Sequence, residues 1–240
     1  MWDRRIRDEM LLETLEEMLE KLTGKKGDSA EEEKPIFLWT MSRQEGPGQE
    51  MTCSSILDVT GLIQTGRRKN LEPDMLMAYC IGKAASMAEG FCRPPGMDGL
   101  AQNRPVAVGI PVENADGGTN FCDILFEPDP DRFASGYRWH RKQAVLNCRD
   151  RDLSANCVVI RTAAYPGVWD IGDKGLGLGC KEGPSVCWGK YLRRRWDRVT
   201  QYLLKVYFKY SGALVNDKQS DAFLLALKHE AGNGMTSSLP

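Results

Sequence analysis

A helix that is apolar on every side cannot lie on a surface, and residues 73–88 read as such a helix. Pro-Asp-Met-Leu-Met-Ala-Tyr-Cys-Ile-Gly-Lys-Ala-Ala-Ser-Met-Ala opens on a proline suited to a first helical turn and then shows almost no polar face. It has to be buried, so the rest of the chain must surround it. With 240 residues, 42% of them apolar, there is material for one large α/β domain or two small ones.

The surrounding pattern is rich in strands. Pro35–Met41 and Met51–Val59 read as strands joined by a Gly/Pro loop. Asp58-Val59-Thr60 opens a helix, with Thr60 as its cap and Leu62 and Ile63 starting its apolar face. Val106–Val112 and Asn120–Phe126 flank Asn114-Ala115-Asp116-Gly117-Gly118, a hairpin turn. Asp129-Pro130-Asp131 starts a helix through Phe133, Tyr137 and Val145. Ala155–Thr162 is a buried strand, Gly172–Gly183 is a loop with five glycines, and Ser185–Tyr191 and Thr200–Tyr210 are further strands. A helix over Ser220–His229 closes the pattern. From Pro35 to residue 230 this is one α+β domain, a large antiparallel or mixed sheet covered by helices. Before it, Met10–Leu22 has helical spacing with one apolar face, followed by a charged linker, so residues 1–34 form an arm. Residues 231–240 form a tail.

Bulk properties exclude several functions. A formal net charge of -1 gives no bulk attraction for nucleic acid. No apolar run is long enough to span a bilayer, and the mean hydropathy is -0.41. The charged, acidic N-terminal stretch is neither a signal nor a transit peptide, which points to the cytoplasm. The eight cysteines form no Cys-x-x-Cys pair, which argues against a structural metal and for reduced, mostly buried thiols.

The end of the domain holds its most specific segment. Tyr207-Phe208-Lys209-Tyr210-Ser211-Gly212-Ala213-Leu214-Val215-Asn216-Asp217 reads as a strand entering a polar turn, and Lys218–Leu227 as an apolar helix. Four other places accompany it: Met51–Thr60, ending in Asp58-Val59-Thr60; the buried helix; Thr119-Asn120-Phe121-Cys122 with Phe133 and Tyr137 behind it; and Trp188-Gly189-Lys190-Tyr191. In this order they resemble the chloramphenicol acetyltransferase family and its relatives, the acyltransferase cores of 2-oxoacid dehydrogenase complexes. The resemblance covers Ile36–Leu227 and implies a chloramphenicol-acetyltransferase-like α+β two-layer sandwich. It also implies a trimer with the acyl site between subunits.

That family carries His-His-x-x-x-Asp-Gly at the end of its last long strand. Laid on without gaps, the histidines fall on Ser211 and Gly212, the aspartate on Asn216 and the glycine on Asp217. By the resemblance, the second histidine is the general base that activates the acceptor, which needs an imidazole titrating near working pH. Gly212 has no side chain. The family's aspartate makes an ion pair, and Asn216 carries no charge. A family serine that stabilises the oxyanion lies near Ile160-Arg161-Thr162, and Thr162 takes that place if the register slips by one. With Thr162, Lys190 and Tyr210 are the candidates for a ligand pocket.

Other motifs are weaker. Gly175-Leu176-Gly177-Leu178-Gly179 lacks the Gly-Lys-[Ser/Thr] ending of a phosphate loop. The basic run Lys190–Arg198 suits a solvated hairpin tip, or else the phosphates of coenzyme A or an acidic partner. The two histidines, His140 and His229, read as surface residues, the second placed at a helix C-terminus. The expectation is therefore a catalytically inactive relative, without metal or resident cofactor, serving as a structural or regulatory subunit. Its partners would be copies of itself in a homotrimer, or an active homologue that supplies a histidine. Two alternatives stand beside it: an acyl-CoA-dependent acyltransferase with relocated catalytic groups, and a module that binds coenzyme A or another small ligand without chemistry.

Overall fold

The computed structural model describes residues 42–45, 50–88, 91, 104–114, 117–165, 167, 171, 183–196 and 199–233. The arm, the linker, the Pro35–Met41 strand, nearly all of Gly172–Gly183 and most of the tail lie outside these residues.

Eight strands form one mixed sheet. They are β1 (Ser42–Glu45), β2 (Glu50–Asp58), β3 (Val106–Glu113), β4 (Thr119–Leu125), β5 (Val158–Ala164), β6 (Ser185–Trp188), β7 (Leu192–Trp196) and β8 (Val199–Ser211). The order is β1-β2-β8-β6-β5-β3-β4, with β7 paired to the first half of β8. β5 runs parallel to both β3 and β6, and every other pairing is antiparallel. The helices are α1 (Thr60–Lys69), α2 (Pro73–Met87), α3 (Pro130–Asn147) and α4 (Asp217–Asn233).

Strand alternation sorts the two faces of the sheet. Val108, Ile110, Cys122, Ile124, Ile160, Val186, Phe208 and Tyr210 join the large core shared with the helices. Their neighbours Ala107 and Val159, and Cys187 and Tyr207, belong to two small clusters on the opposite face. The expected all-round burial of α2 is observed, since ten of its residues are buried. Phe91, Phe208, Tyr210 and Phe223 stack in series where β8 meets α4, with ring centroids 4.7 to 6.0 Å apart. The mixed α+β sheet covered by helices is thus the architecture expected from sequence.

Several local expectations need correction. β1 lies inside the expected Gly/Pro loop and pairs with β2. Thr60 does not cap α1. Its Oγ1 accepts from the Tyr202 N–H of β8 at 2.9 Å, while Asp58 Oδ1 accepts from the Thr60 N–H at 2.9 Å. The threonine is turned to the sheet because the Val59 N–H also bonds the Tyr202 carbonyl, at 2.8 Å. β5 begins later than expected because Leu153–Cys157 close a turn on the Leu153 carbonyl. Lys190–Arg198 is no hairpin tip over most of its length, since Leu192–Trp196 is a strand in register with β8. α4 continues one turn beyond His229, which therefore does not sit at the helix end.

Candidate functional site

The junction of β8 and α4 is built by short-range hydrogen bonds. The Ser211 carbonyl accepts from the Leu214 and Val215 N–H groups at 2.9 and 3.0 Å, and Ser211 Oγ accepts from the Ala213 N–H at 3.3 Å. This folds residues 212–214 into a turn. Asn216 then caps α4: its Oδ1 accepts from the Gln219 N–H, and its own N–H donates to Gln219 Oε1, both at 2.9 Å. This reciprocal pair satisfies two backbone donors at the helix start, as a capping box does. Asp217 lies in the first turn, where a negative charge suits the helix dipole.

Tyr210 ties this junction to the core. It is fully buried, and its hydroxyl lies 3.2 Å from Ser220 Oγ, 3.4 Å from Asp217 Oδ1 and 3.8 Å from Cys53 Sγ. Gly212 is exposed. Among the described glycines, only Gly117 and Gly183 have positive φ, so nothing in the backbone at position 212 calls for glycine.

The sequence-derived candidates do not all converge. Ser211, Gly212, Asn216, Asp217 and Tyr210 meet at the junction. Thr162 does not: it pairs with Val186, which pairs with Phe208, two strands and about 10 Å from β8. Its buried hydroxyl donates to the Gly109 carbonyl at 3.0 Å, which commits its proton. Lys190 follows β6, whose Trp188 pairs with Val206, six residues before Gly212. At ~3.3 Å per residue it lies on the order of 20 Å from the junction.

Neither histidine approaches the junction within the chain. His229 is twelve residues into α4, about 18 Å from its start. His140 is on α3, which packs on β4, four strands and about 19 Å from β8. Burial and the nearby Arg151 guanidinium hold the His140 pKa below its ordinary value.

The sequence reading missed a polar row on the sheet face away from the helices. Register places Asp123, Gly109, Arg161, Ser185, Lys209 and Thr52 side by side across β4, β3, β5, β6, β8 and β2. Asp123 is fully buried, 4.0 Å from the Arg161 guanidinium, which also stacks 4.6 Å from the Phe121 ring centroid. Asp123 Oδ2 accepts from the Leu153 N–H at 2.9 Å, whereas Oδ1 has no hydrogen-bond partner among the described residues. Burial raises the Asp123 pKa above the usual carboxylate value, and the Leu153 N–H and Arg161 oppose that rise. Gly109 lets the two charges meet, since a Cβ there would lie 2.8 Å from Asp123 Oδ1 and 3.0 Å from Arg161 Cδ. The visible signal was Asp123 between Cys122 and Ile124, a charge inside an apolar strand. Among the described residues no cluster of His, Cys, Asp and Glu could hold a metal ion. No helix among them is long and apolar enough to cross a membrane.

By sequence, no family model and no curated protein matches the chain. Solved structures do. A chloramphenicol acetyltransferase superposes with a TM-score of 0.58 at 12% identity, over 76% of this chain and 88% of that one. The fold is that of chloramphenicol acetyltransferase. The truncated catalytic core of a 2-oxoacid dehydrogenase multienzyme complex from Thermoplasma acidophilum shares it, with a TM-score of 0.55 and 10% identity over 78% and 88% of the two chains. So does the Azotobacter vinelandii dihydrolipoamide acetyltransferase, at 0.52 and 13% over 77% and 82%. Identities this low establish the acetyltransferase fold and carry no residue roles with it.

Proposed function

We propose that this chain is a catalytically silent subunit on the acetyltransferase fold, structural or regulatory, assembled as a homotrimer or with an active homologue. The observation that carries the reading is Gly212 at the end of β8, with His229 about 18 Å away along α4 and His140 on a helix that packs on β4, about 19 Å away across the sheet. A general base must come within hydrogen-bond reach of the proton it removes.

Asn216 weighs less than it did in the sequence. The Azotobacter enzyme was studied for the roles of a serine, a histidine and an asparagine in its catalytic mechanism, the asparagine four positions after the histidine. Asn216 stands at that spacing from Gly212, and here it serves as a helix cap. The proposal therefore rests on the missing imidazole alone.

Thioester cleavage of acetyl-CoA by the purified full chain tests it, beside Gly212→His, Gly212→His/Asn216→Asp and His140→Ala/His229→Ala. The expected result is baseline turnover in the native protein and a rise of about 100-fold on adding the histidine, the lower end of what a general base supplies. Native turnover that disappears in His140→Ala/His229→Ala would overturn the proposal in favour of relocated catalytic groups. Native mass measurement addresses assembly: a trimer of the isolated chain agrees with the homotrimer, and a monomer at all concentrations contradicts it and leaves only assembly with an active homologue.

A further inference from the structure

We propose that the cleft between the C-terminal half of α3 and the segment that follows it binds a small phosphate monoester carrying hydroxyl groups. The cleft lies at the β4 end of the sheet, four strands from β8, and is separate from the β8–α4 junction. Its volume is about 520 Å³, within the range of small-molecule sites. One wall is a stripe of α3. His140, Gln143 and Asn147 are spaced so that they share one face of the helix, with buried Ala144 beside them. The other wall is Arg149, Asp150 and Arg151. Two guanidinium groups, an imidazole and two amides thus line one cleft.

The second wall is held in place by the backbone. Cys148 ends α3 in the left-handed region, with φ 47°, and turns the chain back. The returning segment lies along β4: the Arg151 N–H donates to the Phe121 carbonyl and the Asp123 N–H to the Arg151 carbonyl, both at 2.9 Å. Asp150, the carboxylate of this wall, is committed to β4 as well, since its Oδ1 accepts from the Phe121 N–H at 2.8 Å. The Arg151 guanidinium is anchored through Nη1, which donates to the Asp123 carbonyl. A guanidinium carries five N–H donors, so one anchor orients the group without exhausting it. Such preorganisation lowers the cost of binding. Burial, and after it the Arg151 charge, lower the His140 pKa, so the imidazole and the guanidinium act on one another. An anion placed between them relieves that repulsion. A phosphate monoester offers three oxygens to the two arginine forks and the imidazole N–H, whereas a carboxylate offers two. Gln143 and Asn147 are amides that both donate and accept, which suits hydroxyl groups on the rest of the ligand.

Calorimetric titration of the full chain with glycerol phosphate tests this, beside glycerol and inorganic phosphate, with the histidine ring signals followed by NMR. The chain has two histidines, so His140→Gln assigns the signal that matters. The expected result is binding of glycerol phosphate that shifts the His140 signal and leaves that of His229 in place, weaker binding of inorganic phosphate, and none of glycerol. Arg149→Ala changes an exposed residue, leaves the Arg151 anchor intact and is expected to weaken binding about tenfold, the scale of one charge-assisted hydrogen bond. Arg141→Ala, on α3 but outside the cleft and paired with Glu72, is expected to leave binding unchanged. No binding of glycerol phosphate at millimolar concentration overturns the proposal, as does binding that leaves the His140 signal unmoved. Equal losses in Arg149→Ala and Arg141→Ala also overturn it, because general charge then explains the affinity. Equal affinity for inorganic phosphate overturns the assignment of a hydroxyl-bearing monoester.

Discussion

The β8–α4 junction and the polar row across β4, β3 and β5 treat polar side chains in opposite ways. At the junction Ser211, Asn216 and Gln219 bond to backbone groups within a few residues, at an exposed turn. In the row, Asp123 and Arg161 are held by residues far apart in sequence, at buried positions of the sheet, with Asp123 Oδ1 left without a hydrogen bond among the described residues. The first arrangement is what a chain does when a helix has to start. The second is costly, because desolvated charges lose water on both partners. The β8–α4 junction therefore sits where polar groups are most ordinary, and the less comfortable polar chemistry lies on the other side of the sheet.

Asp123→Ala gives the largest expected effect. It removes the acceptor for the Leu153 N–H and takes the Asp123 carboxylate away from the mostly buried Arg161. Breaking one partner of a buried pair costs about 3 kcal/mol or more, measured by urea denaturation. Asp123→Asn keeps an acceptor for Leu153 and is expected to lose less. It also isolates a pH effect. The folded Asp123 pKa lies above its ordinary 3.8, so the folded chain binds this proton more tightly than the unfolded one. The associated stability is fully present below about 3.8 and is lost as pH rises through the raised folded value. The stability difference between native protein and Asp123→Asn should therefore shift against the native protein as pH rises through that window. A difference that stays flat would mean that Asp123 is not desolvated.

Gly109→Ala should come next, at about 2 kcal/mol, the middle of the range for overpacking a filled site. Its Cβ would have to displace the Asp123 carboxylate or the Arg161 stem, both closer than an ordinary contact. Made in the Asp123→Ala background, the same change should cost clearly less, since one of the two clashes is gone. Equal costs in both backgrounds would detach Gly109 from the pair.

How much of this was legible in the sequence follows the same division. β8, the junction and α4 could be read because their determinants are local: alternation, a polar turn, an apolar helical repeat. α2 was legible because an all-apolar helix has one fate. The row was not, because Asp123, Gly109 and Arg161 lie on three strands, and only β-register brings them together. Thr60 misled for a related reason: a threonine before a helix reads as a cap, whereas its hydroxyl here serves β8, 142 positions away. Thr162 and Lys190 were grouped with the junction by resemblance. Their strands carry them elsewhere in the sheet, which a linear motif does not encode.

At the junction the expected effects are smaller. Asn216→Ala removes one half of the capping box and should cost about 1 kcal/mol. Gln219→Ala removes the return bond and should cost less, because the Asn216 acceptor remains for the Gln219 N–H. A thermal melt of each variant checks the order.

The smallest effect sharpens the comparison most. Gly212 is exposed and has no positive φ. Replacing such a glycine reduces the freedom of the unfolded chain without straining the folded one, worth a few tenths of a kcal/mol up to about 1 kcal/mol in favour of folding. Gly212→Ala should therefore leave the urea midpoint unchanged or raise it slightly, and Gly212→His should behave alike. If both lose more than about 1 kcal/mol, glycine is required there for packing or conformation, and its presence says nothing about lost chemistry. If both are neutral, an imidazole would be tolerated at position 212, and neither packing nor conformation accounts for the glycine there.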